Sequence, residues 1–165
     1  MSGRLEVEGL GDPALSDDVV EAARQLLGWR FTTTIDGVTT TIVIIETEAY
    51  GGSDDPASHA YRGRTRQNAS MFAAAGTLYV YRSYGVHWCA NVVTGPPGEA
   101  SAVLLRAGFP VVGVEVMRNR RGRDDHLADG PGKLSAALGI TGAHDGTSLE
   151  HGPVRLMPPT SRDPI

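Results

Sequence analysis

The sequence predicts an α+β fold in which one mixed domain, residues 1–165, is built on a mainly antiparallel β-sheet. Two observations support this prediction: segments with strand character come first and are joined by turns, whereas helical segments mostly follow them. The length of 165 residues and the apolar content of 41% also suit a single domain with its own hydrophobic core.

The first predicted elements are a helix and a β-hairpin. Ser16–Asp18 offers N-cap side chains, the apolar residues that follow recur at the i, i+4, i+7 spacing of one helix face, and Gly28 ends the helix. Arg30–Thr34 and Thr39–Tyr50 are predicted to pair across Asp36-Gly37, because this dipeptide tolerates the positive φ of a tight turn.

Turn residues and prolines indicate the remaining elements. A polar connection rich in Gly, Ser and Asp is followed by three strands separated by turns, and a proline at the first position is typical of a helix start. The predicted elements are the connection Gly51–Ala69, the strands Thr77–Tyr81, His87–Val93 and Ser101–Ala107, the helices from Pro110 to about Arg121 and from Pro131 to about Leu138, and an irregular tail from Gly152.

The composition excludes several classes of protein. No run approaches the ~18 apolar residues of a membrane span, and Met1–Pro13 lacks the basic and apolar regions of a signal peptide. Cys89 is the single cysteine and the histidines lack ligand spacing, so we expect no intrachain disulfide, no metal and no cofactor. These features predict a protein without membrane contact in a reducing compartment, the cytoplasm (associated with the nucleoid if the source is bacterial).

Charge is distributed unevenly along the chain. The net charge of −4 by itself argues against a nucleic-acid partner. Residues 1–60, however, carry three basic and eleven acidic side chains, whereas residues 61–133 carry ten basic and five acidic ones. Because a polyanion responds to the field within about a Debye length of ~8 Å, this basic middle region can bind phosphate unless folding disperses its charges.

A candidate general base follows the run Ile42–Ile45, which is apolar on both faces and typical of a buried strand. Glu46, Glu48 and Tyr50 alternate along the same strand and should share a face. A carboxylate there is predicted to be poorly solvated, which raises its proton affinity and suits it to general-base catalysis near neutral pH. The alternative interpretation is that both glutamates are solvated charges at the rim of the sheet.

Three tyrosines occur within six positions. Tyr79 and Tyr81 share a strand face, whereas Tyr84 lies at the turn before Gly85, where a ring gains nothing from a core and indicates a wedge. The alternative is a set of cross-strand pairs that stabilise the sheet. His59, in the polar connection, is either a catalyst or a hydrogen-bonded structural group. A carboxylate, aromatic faces and basic surroundings together suit a base drawn out of nucleic acid.

Several separated motifs, in order, carry a resemblance to a known family. They are Ile45-Glu46-Thr47-Glu48-Ala49-Tyr50, Asp54-Asp55-Pro56-Ala57-Ser58-His59, Gly76-Thr77-Leu78-Tyr79-Val80-Tyr81, Tyr84-Gly85, Cys89-Ala90-Asn91, Ala102-Val103-Leu104-Leu105-Arg106 and Gly130-Pro131-Gly132-Lys133-Leu134. Over residues 15–155 the chain resembles the alkyladenine (3-methyladenine) DNA glycosylases. The resemblance implies a single mixed domain with an antiparallel sheet, flanking helices and a protruding β-hairpin.

The resemblance also implies a role for each matching residue. Glu48 matches the general base that activates water at the sugar C1′, and Arg106 matches a polar residue beside the base and that water. Tyr84 matches the hairpin tip that enters the minor groove and fills the gap left by the flipped nucleotide. The residues that match base contacts are Tyr50, His59, Tyr81 and Asn91, the last of which disfavours the exocyclic amino group of guanine.

A further set of residues is expected to contact DNA. Arg121 and Lys133 match contacts to backbone phosphates. Val86 and His87 replace a bulkier apolar and aromatic pair of some relatives, a departure that bears on the reach of the wedge. The expected DNA-binding residues are Tyr84, Val86, His87, Arg62, Arg64, Arg121 and Lys133.

The activity implied by the resemblance is hydrolysis of the N-glycosidic bond of alkylated purines in duplex DNA. Alkylation at N3 or N7 makes the purine positively charged, so it leaves as a neutral group and Glu48 suffices as the one catalytic base. Lys133 is the only lysine and does not lie beside Glu48, so we expect no Schiff base and no strand cleavage. The expected partner is duplex DNA with a damaged base, bound by a monomer.

One departure and two alternatives accompany this prediction. Family members continue beyond Leu149–Pro153 into a further helix and an aromatic-containing strand, whereas this chain ends at Ile165, so we expect that segment to be absent. The alternatives are a non-catalytic module of the same fold that binds damaged DNA, and a hydrolase of free nucleosides. The first would bind a lesion without turnover, and the second would need no wedge.

Overall fold

The computed structural model describes residues 15–160 and residue 163, so the prediction made for Met1–Pro13 lies outside it. Two short 3-10 turns, Ala69–Phe72 and Gly142–His144, accompany the helices and strands. The helices are α1 (Val19–Gln25), α2 (Val114–Arg121) and α3 (Pro131–Leu138), and the strands are β1 (Arg30–Ile35), β2 (Val38–Tyr50), β3 (Leu78–Ser83), β4 (His87–Thr94), β5 (Ser101–Val112) and β6 (Val154–Met157).

Across the described ranges the strands form one antiparallel sheet of six in the order β3-β4-β5-β2-β1-β6. All three helices contribute to the main core, on one side of the sheet. A smaller core of Ala60, Met71, Tyr79, Val93, Ala100 and Ala102 lies on the other side. The α+β prediction is confirmed. No helix in this part of the chain has the length and apolarity that crossing a membrane requires.

Local sequence signals define several element boundaries as predicted. Asp18 caps α1, since its Oδ1 accepts the backbone N–H groups of Val20 at 2.9 Å and Glu21 at 3.0 Å. The β1–β2 hairpin turns at Asp36, whose φ is 52°. In α3, Gly139 adopts a left-handed φ of 72° immediately after the last helical residue.

The alternation of β2 breaks at Ile45, where the predicted burial of this residue is wrong. Ile44 is buried and Thr47 donates to the carbonyl of Ala23 in α1, so both face the helices although they are three positions apart. The register is irregular between them, and Ile45 is 54% exposed. A local irregularity of this kind re-aims the side chains that follow it. It therefore directs Glu46, Glu48 and Tyr50 away from the helical layer.

Strand β5 is longer than predicted, and the expected helix start at Pro110 is wrong. Ser101–Leu104 pairs with β4 on one side, and Ala102–Val112 pairs with β2 on the other, with Pro110 opposite Ile42. Proline is tolerated there because it has no N–H to donate and one edge of the strand is open. Gly113, with φ of 73°, ends the strand before α2.

The prediction of an irregular tail is also wrong over Val154–Met157. These residues pair with β1 and form the edge strand β6. Val154 and Leu156 are buried, and the intervening Arg155 is exposed. This alternation of apolar and polar residues is a strand signal, but it is short and lies among prolines.

Candidate active site

Arg106 joins the two glutamates of β2. Its Nε lies 2.9 Å from Glu46 Oε1, and its Nη1 lies 2.9 Å from Glu48 Oε2. The hydrogen bond with Glu46 is the main cause of a raised pKa of Arg106, which therefore stays charged. The predicted shared face of Glu46 and Glu48 is confirmed, and one guanidinium from β5 fixes both carboxylates.

Glu48 is more exposed than the sequence predicted. Its side chain is 42% exposed, and the last four residues of β2 are only partly buried. Besides Arg106, it accepts a hydrogen bond from the phenol of Tyr50. Burial, and then the hydrogen bond to Glu48, raises the pKa of Tyr50 to about 12, so the phenol remains a donor at neutral pH. Glu48 is thus oriented by two donors and open to water.

A small, partly open pocket with a cavity volume of about 50 Å³ lies against Tyr50. Its walls come from β2, the polar connection, the 3-10 turn before β3, and strands β3 and β4. The lining residues are Tyr50, Ala57, His59, Met71, Tyr81 and Asn91. The structure therefore brings together all four side chains that the resemblance assigned to base contacts.

His59 is held between two tyrosines of β3. Its Nδ1 lies 3.1 Å from Tyr79 Oη, and its ring stands edge-on to Tyr81, with centroids 4.3 Å apart and planes at 87°. Burial lowers the pKa of His59, so the imidazole is neutral at pH 7. Burial also raises the pKa of Tyr79 and of Tyr81 well above the ordinary value. The pocket thus presents uncharged aromatic rings.

Two side chains that support His59 were not assigned to the site from the sequence. Tyr79 is 2% exposed and supplies the hydroxyl partner of His59. Asn68 is also buried, and its Nδ2 donates to the carbonyls of His59 at 2.9 Å and of Gly63 at 3.0 Å. The shared strand face of Tyr79 and Tyr81 is a sequence signal that could have identified Tyr79. No local pattern distinguishes Asn68 from other polar loop residues.

Asn91 forms part of the pocket wall from β4. It is 3% exposed, and its Nδ2 donates to the carbonyls of Tyr79 at 3.2 Å and Cys89 at 3.4 Å. Both hydrogen bonds use the amide nitrogen, so the Oδ1 is the remaining acceptor of a side chain that lines the pocket.

The β3–β4 hairpin ends in an exposed aromatic ring. Tyr84 is 97% exposed and has φ of 50°, a conformation that costs a non-glycine residue about 1–2 kcal/mol. Gly85 follows with φ of 67°, and Val86 N donates to Ser83 O at 3.0 Å to close the turn. Val86 is 64% exposed and His87 is also exposed. No core contact accounts for the ring, which is consistent with a wedge.

An open groove runs from the pocket to this hairpin. It shares His59 and Tyr81 with the pocket, and its other lining residues include Tyr61, Arg62, Gln67, Arg82, Tyr84 and Trp88. The guanidinium of Arg82 lies over the Trp88 ring at 5.2 Å. The groove therefore combines aromatic and cationic side chains, as surfaces that bind nucleic acid do.

The basic residues of the middle region differ in their contacts within the protein. Arg62 and Arg64 are exposed beside the groove, and Arg64 lies 6.0 Å from the ring centroid of Phe72. Arg121, in contrast, donates to the carbonyl of Leu127 at 3.2 Å. The Nζ of Lys133 lies 3.0 Å from Asp129 Oδ1. The two residues that matched phosphate contacts are thus engaged within the protein.

Comparison with known proteins gives a consistent result. A family model described as methylpurine-DNA glycosylase matches residues 14–165. The chain is 51% identical over 146 residues to a protein of Methanoculleus marisnigri, covering 87% of this chain and 75% of that protein. It is 52% identical over 153 residues to a protein of Granulibacter bethesdensis, covering 91% and 69%. Both relatives are named provisionally as 3-methyladenine DNA glycosylases.

Proposed function

The chain belongs to the methylpurine-DNA glycosylase family, and on this basis we propose that it removes alkylated purines of the 3-methyladenine type from duplex DNA. The reaction is hydrolysis of the N-glycosidic bond and would begin base-excision repair. The observation that carries the proposal is the hydrogen bond between Tyr50 and Glu48, which joins a solvent-accessible carboxylate to the wall of an aromatic pocket.

Glu48 acts as the base in this proposal. As a water oxygen bonds to C1′, Glu48 takes the proton of that water, and the C1′–N bond breaks with its electron pair passing to the purine. The alkylated purine already carries a positive charge, so it leaves neutral without being protonated. The carboxylate also stabilises the oxocarbenium-like sugar. The products are the free alkylated base and an abasic site.

The pocket selects the base through its aromatic faces. Tyr50, His59 and Tyr81 are neutral at pH 7, given the raised pKa values of both tyrosines and the lowered pKa of His59. Uncharged rings attract a cation through their π-electrons, so a cationic purine binds better than a normal neutral one. Asn91 is part of the pocket wall, and the family resemblance implies that this side chain disfavours binding of guanine, which carries an exocyclic amino group.

Tyr84 acts on the duplex rather than on the base. Extruding a nucleotide costs a few kcal/mol, and least where damage weakens pairing. Tyr84 is 97% exposed, and its positive φ holds the ring at the tip of the turn. The ring can therefore enter the vacated space and stack against the neighbouring bases. Arg62 lines the same groove as Tyr84 and would contact phosphates.

The reaction stops at the abasic site. Cleavage of the strand through a Schiff base needs an amine at C1′. Lys133 is the only lysine in the sequence, and its Nζ is paired with Asp129 next to α3. The enzyme is therefore proposed to be monofunctional.

A base-release assay tests this function. Wild-type protein should release 3-methyladenine from methylated duplex DNA and leave the strand uncut. Glu48→Gln should lose release by at least about 100-fold while binding the duplex with similar affinity. The matched control is Glu115→Gln, because Glu115 is exposed on α2 and pairs with Arg118 away from the pocket. Undiminished release by Glu48→Gln would exclude Glu48 as the base.

The same assay distinguishes the two alternatives. Lesion binding without release by the wild-type protein would identify a damage-binding module. Release from free nucleosides at the same rate as from duplex DNA would identify a nucleoside hydrolase, for which the exposed Tyr84 has no use. The strained turn at Tyr84 therefore favours duplex DNA as the substrate.

A further inference from the structure

The outer edge of β3 is covered by the segment that follows the second 3-10 turn. Leu78 N donates to Thr147 O at 2.9 Å, and Gly146 N donates to Leu78 O at 2.8 Å. Since outward-facing amides alternate along an antiparallel edge, the next outward N–H belongs to Val80. The carboxylate of Asp145, a side chain rather than a backbone carbonyl, accepts this N–H, with Oδ1 at 2.9 Å.

The second oxygen of the same carboxylate reaches a different wall of the pocket. Asp145 Oδ2 accepts a hydrogen bond from Ser70 Oγ at 3.0 Å. Ser70 lies in the 3-10 turn Ala69–Phe72, whose Met71 lines the pocket. One carboxylate, distant in sequence from both partners, thus ties the Met71 wall to strand β3.

Val80 is the residue between the two tyrosines that hold His59. A hydrogen bond on its amide fixes the backbone from which Tyr79 and Tyr81 project in the opposite direction. Asp145 also contributes, after burial, to the raised pKa of Tyr79, which keeps this phenol protonated against His59 Nδ1. Asp145 is not among the side chains that line the pocket.

We propose that Asp145 is a positioning residue of the base pocket: it sets the separation between the Met71 wall and the His59–Tyr79–Tyr81 cluster, and thereby the affinity for the extruded base. This inference rests on the proposed function. It predicts that loss of Asp145 weakens interactions with the base in the pocket and spares interactions with the DNA backbone.

Binding of two duplexes separates these effects. One duplex carries ethenoadenine, a base that can occupy the pocket, and the other carries an abasic site, which leaves it empty. Asp145→Ala should bind the ethenoadenine duplex about tenfold more weakly and the abasic duplex within twofold of wild type. Asp145→Asn keeps an acceptor for Val80 N and should recover most of the loss. The control is Asp124→Ala, since Asp124 is exposed in the loop after α2.

Equal weakening on both duplexes, or none on either, would overturn the inference. Ser70→Ala removes one of the two hydrogen bonds with little threat to folding, and should give a smaller loss on the ethenoadenine duplex alone. If the wild-type protein binds ethenoadenine selectively but releases no alkylated base, the proposed hydrolysis fails while the Asp145 comparison can still be made.

A measurement without DNA completes the test. The imidazole of His59 can be titrated by NMR in the free protein. Asp145→Ala should move the pKa of His59 from its lowered value toward the ordinary 6.5, because the Tyr79 partner and the enclosing wall are released. An unchanged His59 titration in a folded Asp145→Ala protein would contradict the proposal whatever the DNA results.

Discussion

The phenol of Tyr50 donates a hydrogen bond to the carboxylate of Glu48, two residues earlier on β2. The two side chains share a face of the strand, and Tyr50 also lines the aromatic pocket. The residue proposed to activate water is therefore coupled directly to a residue proposed to contact the base. Arg106 completes the arrangement from β5 by binding Glu48 and Glu46 together.

Tyr50→Phe should lower the rate of base release by roughly tenfold, the scale of one hydrogen bond to a charged group. The variant keeps the ring against the pocket but removes one of the two donors that orient Glu48. Because the pKa of Tyr50 is about 12, the phenol of the wild-type protein is a donor at pH 7.5. Single-turnover rates at that pH measure the loss, and an unchanged rate would show that Tyr50 does not orient Glu48.

Arg106→Lys should lower the rate of base release on the order of 10- to 100-fold, because an ammonium group cannot span both glutamates and Glu48 is no longer fixed. The melting temperature should change little, since the Arg106 side chain is 37% exposed and exposed ion pairs contribute little stability. Arg155→Lys on β6 is the matched control. Wild-type rates in Arg106→Lys would show that Glu48 needs no such orientation.

Tyr84→Gly should separate stability from activity. Glycine adopts the positive φ of this turn without strain, so the variant should fold and melt close to the wild-type temperature. Base release from duplex DNA should fall about tenfold or more, because nothing restacks the vacated site. Release from single-stranded DNA should change much less. Equal losses on both substrates would exclude the wedge.

His59 should make the protein less stable in acid. Burial lowers its pKa below 6.5 in the folded state, so protonation favours the unfolded chain. The stability that the neutral ring provides is complete above pH 6.5 and is lost as the pH falls through the lowered pKa. The drop in melting temperature between pH 7.5 and pH 5 should therefore be smaller in His59→Gln than in wild type. An equal drop in His59→Gln and in the wild-type protein would contradict this prediction.

Local patterns were sufficient for most of the secondary structure. Asp18, Asp36 and Gly139 act within a few residues of their own position, and the structure confirms the helix cap, hairpin and helix end that they predicted. The failures at Pro110 and in the tail after Gly152 involve residues whose state depends on the partner of a strand. Proline disfavours a strand mainly where both edges of the strand are hydrogen-bonded, and that depends on which strands flank it. The four residues of β6 form a strand because they pair with β1.

Some features of the candidate site were also predictable from the sequence, whereas others depend on the tertiary structure. The family resemblance, carried by Glu48, Tyr50, His59, Tyr81 and Tyr84 in order, indicated a carboxylate, an aromatic pocket and an exposed tip. The tertiary structure alone shows that Glu48 is open to solvent, that Arg121 and Lys133 have internal partners, and that Asp145 joins two pocket walls.

The sequence by itself determined the chemical groups of this protein and the short-range turns that display them, because residue identity and neighbouring dihedral preferences require no distant partner. Only the tertiary structure decided which way the groups face and what they contact. The irregularity at Ile45 re-aims the strand end that bears Glu48, and Arg106 reaches that residue across 58 positions of chain. Pairing between strands that are distant in the sequence depends on the packing of the whole sheet, which the local pattern of one segment does not specify.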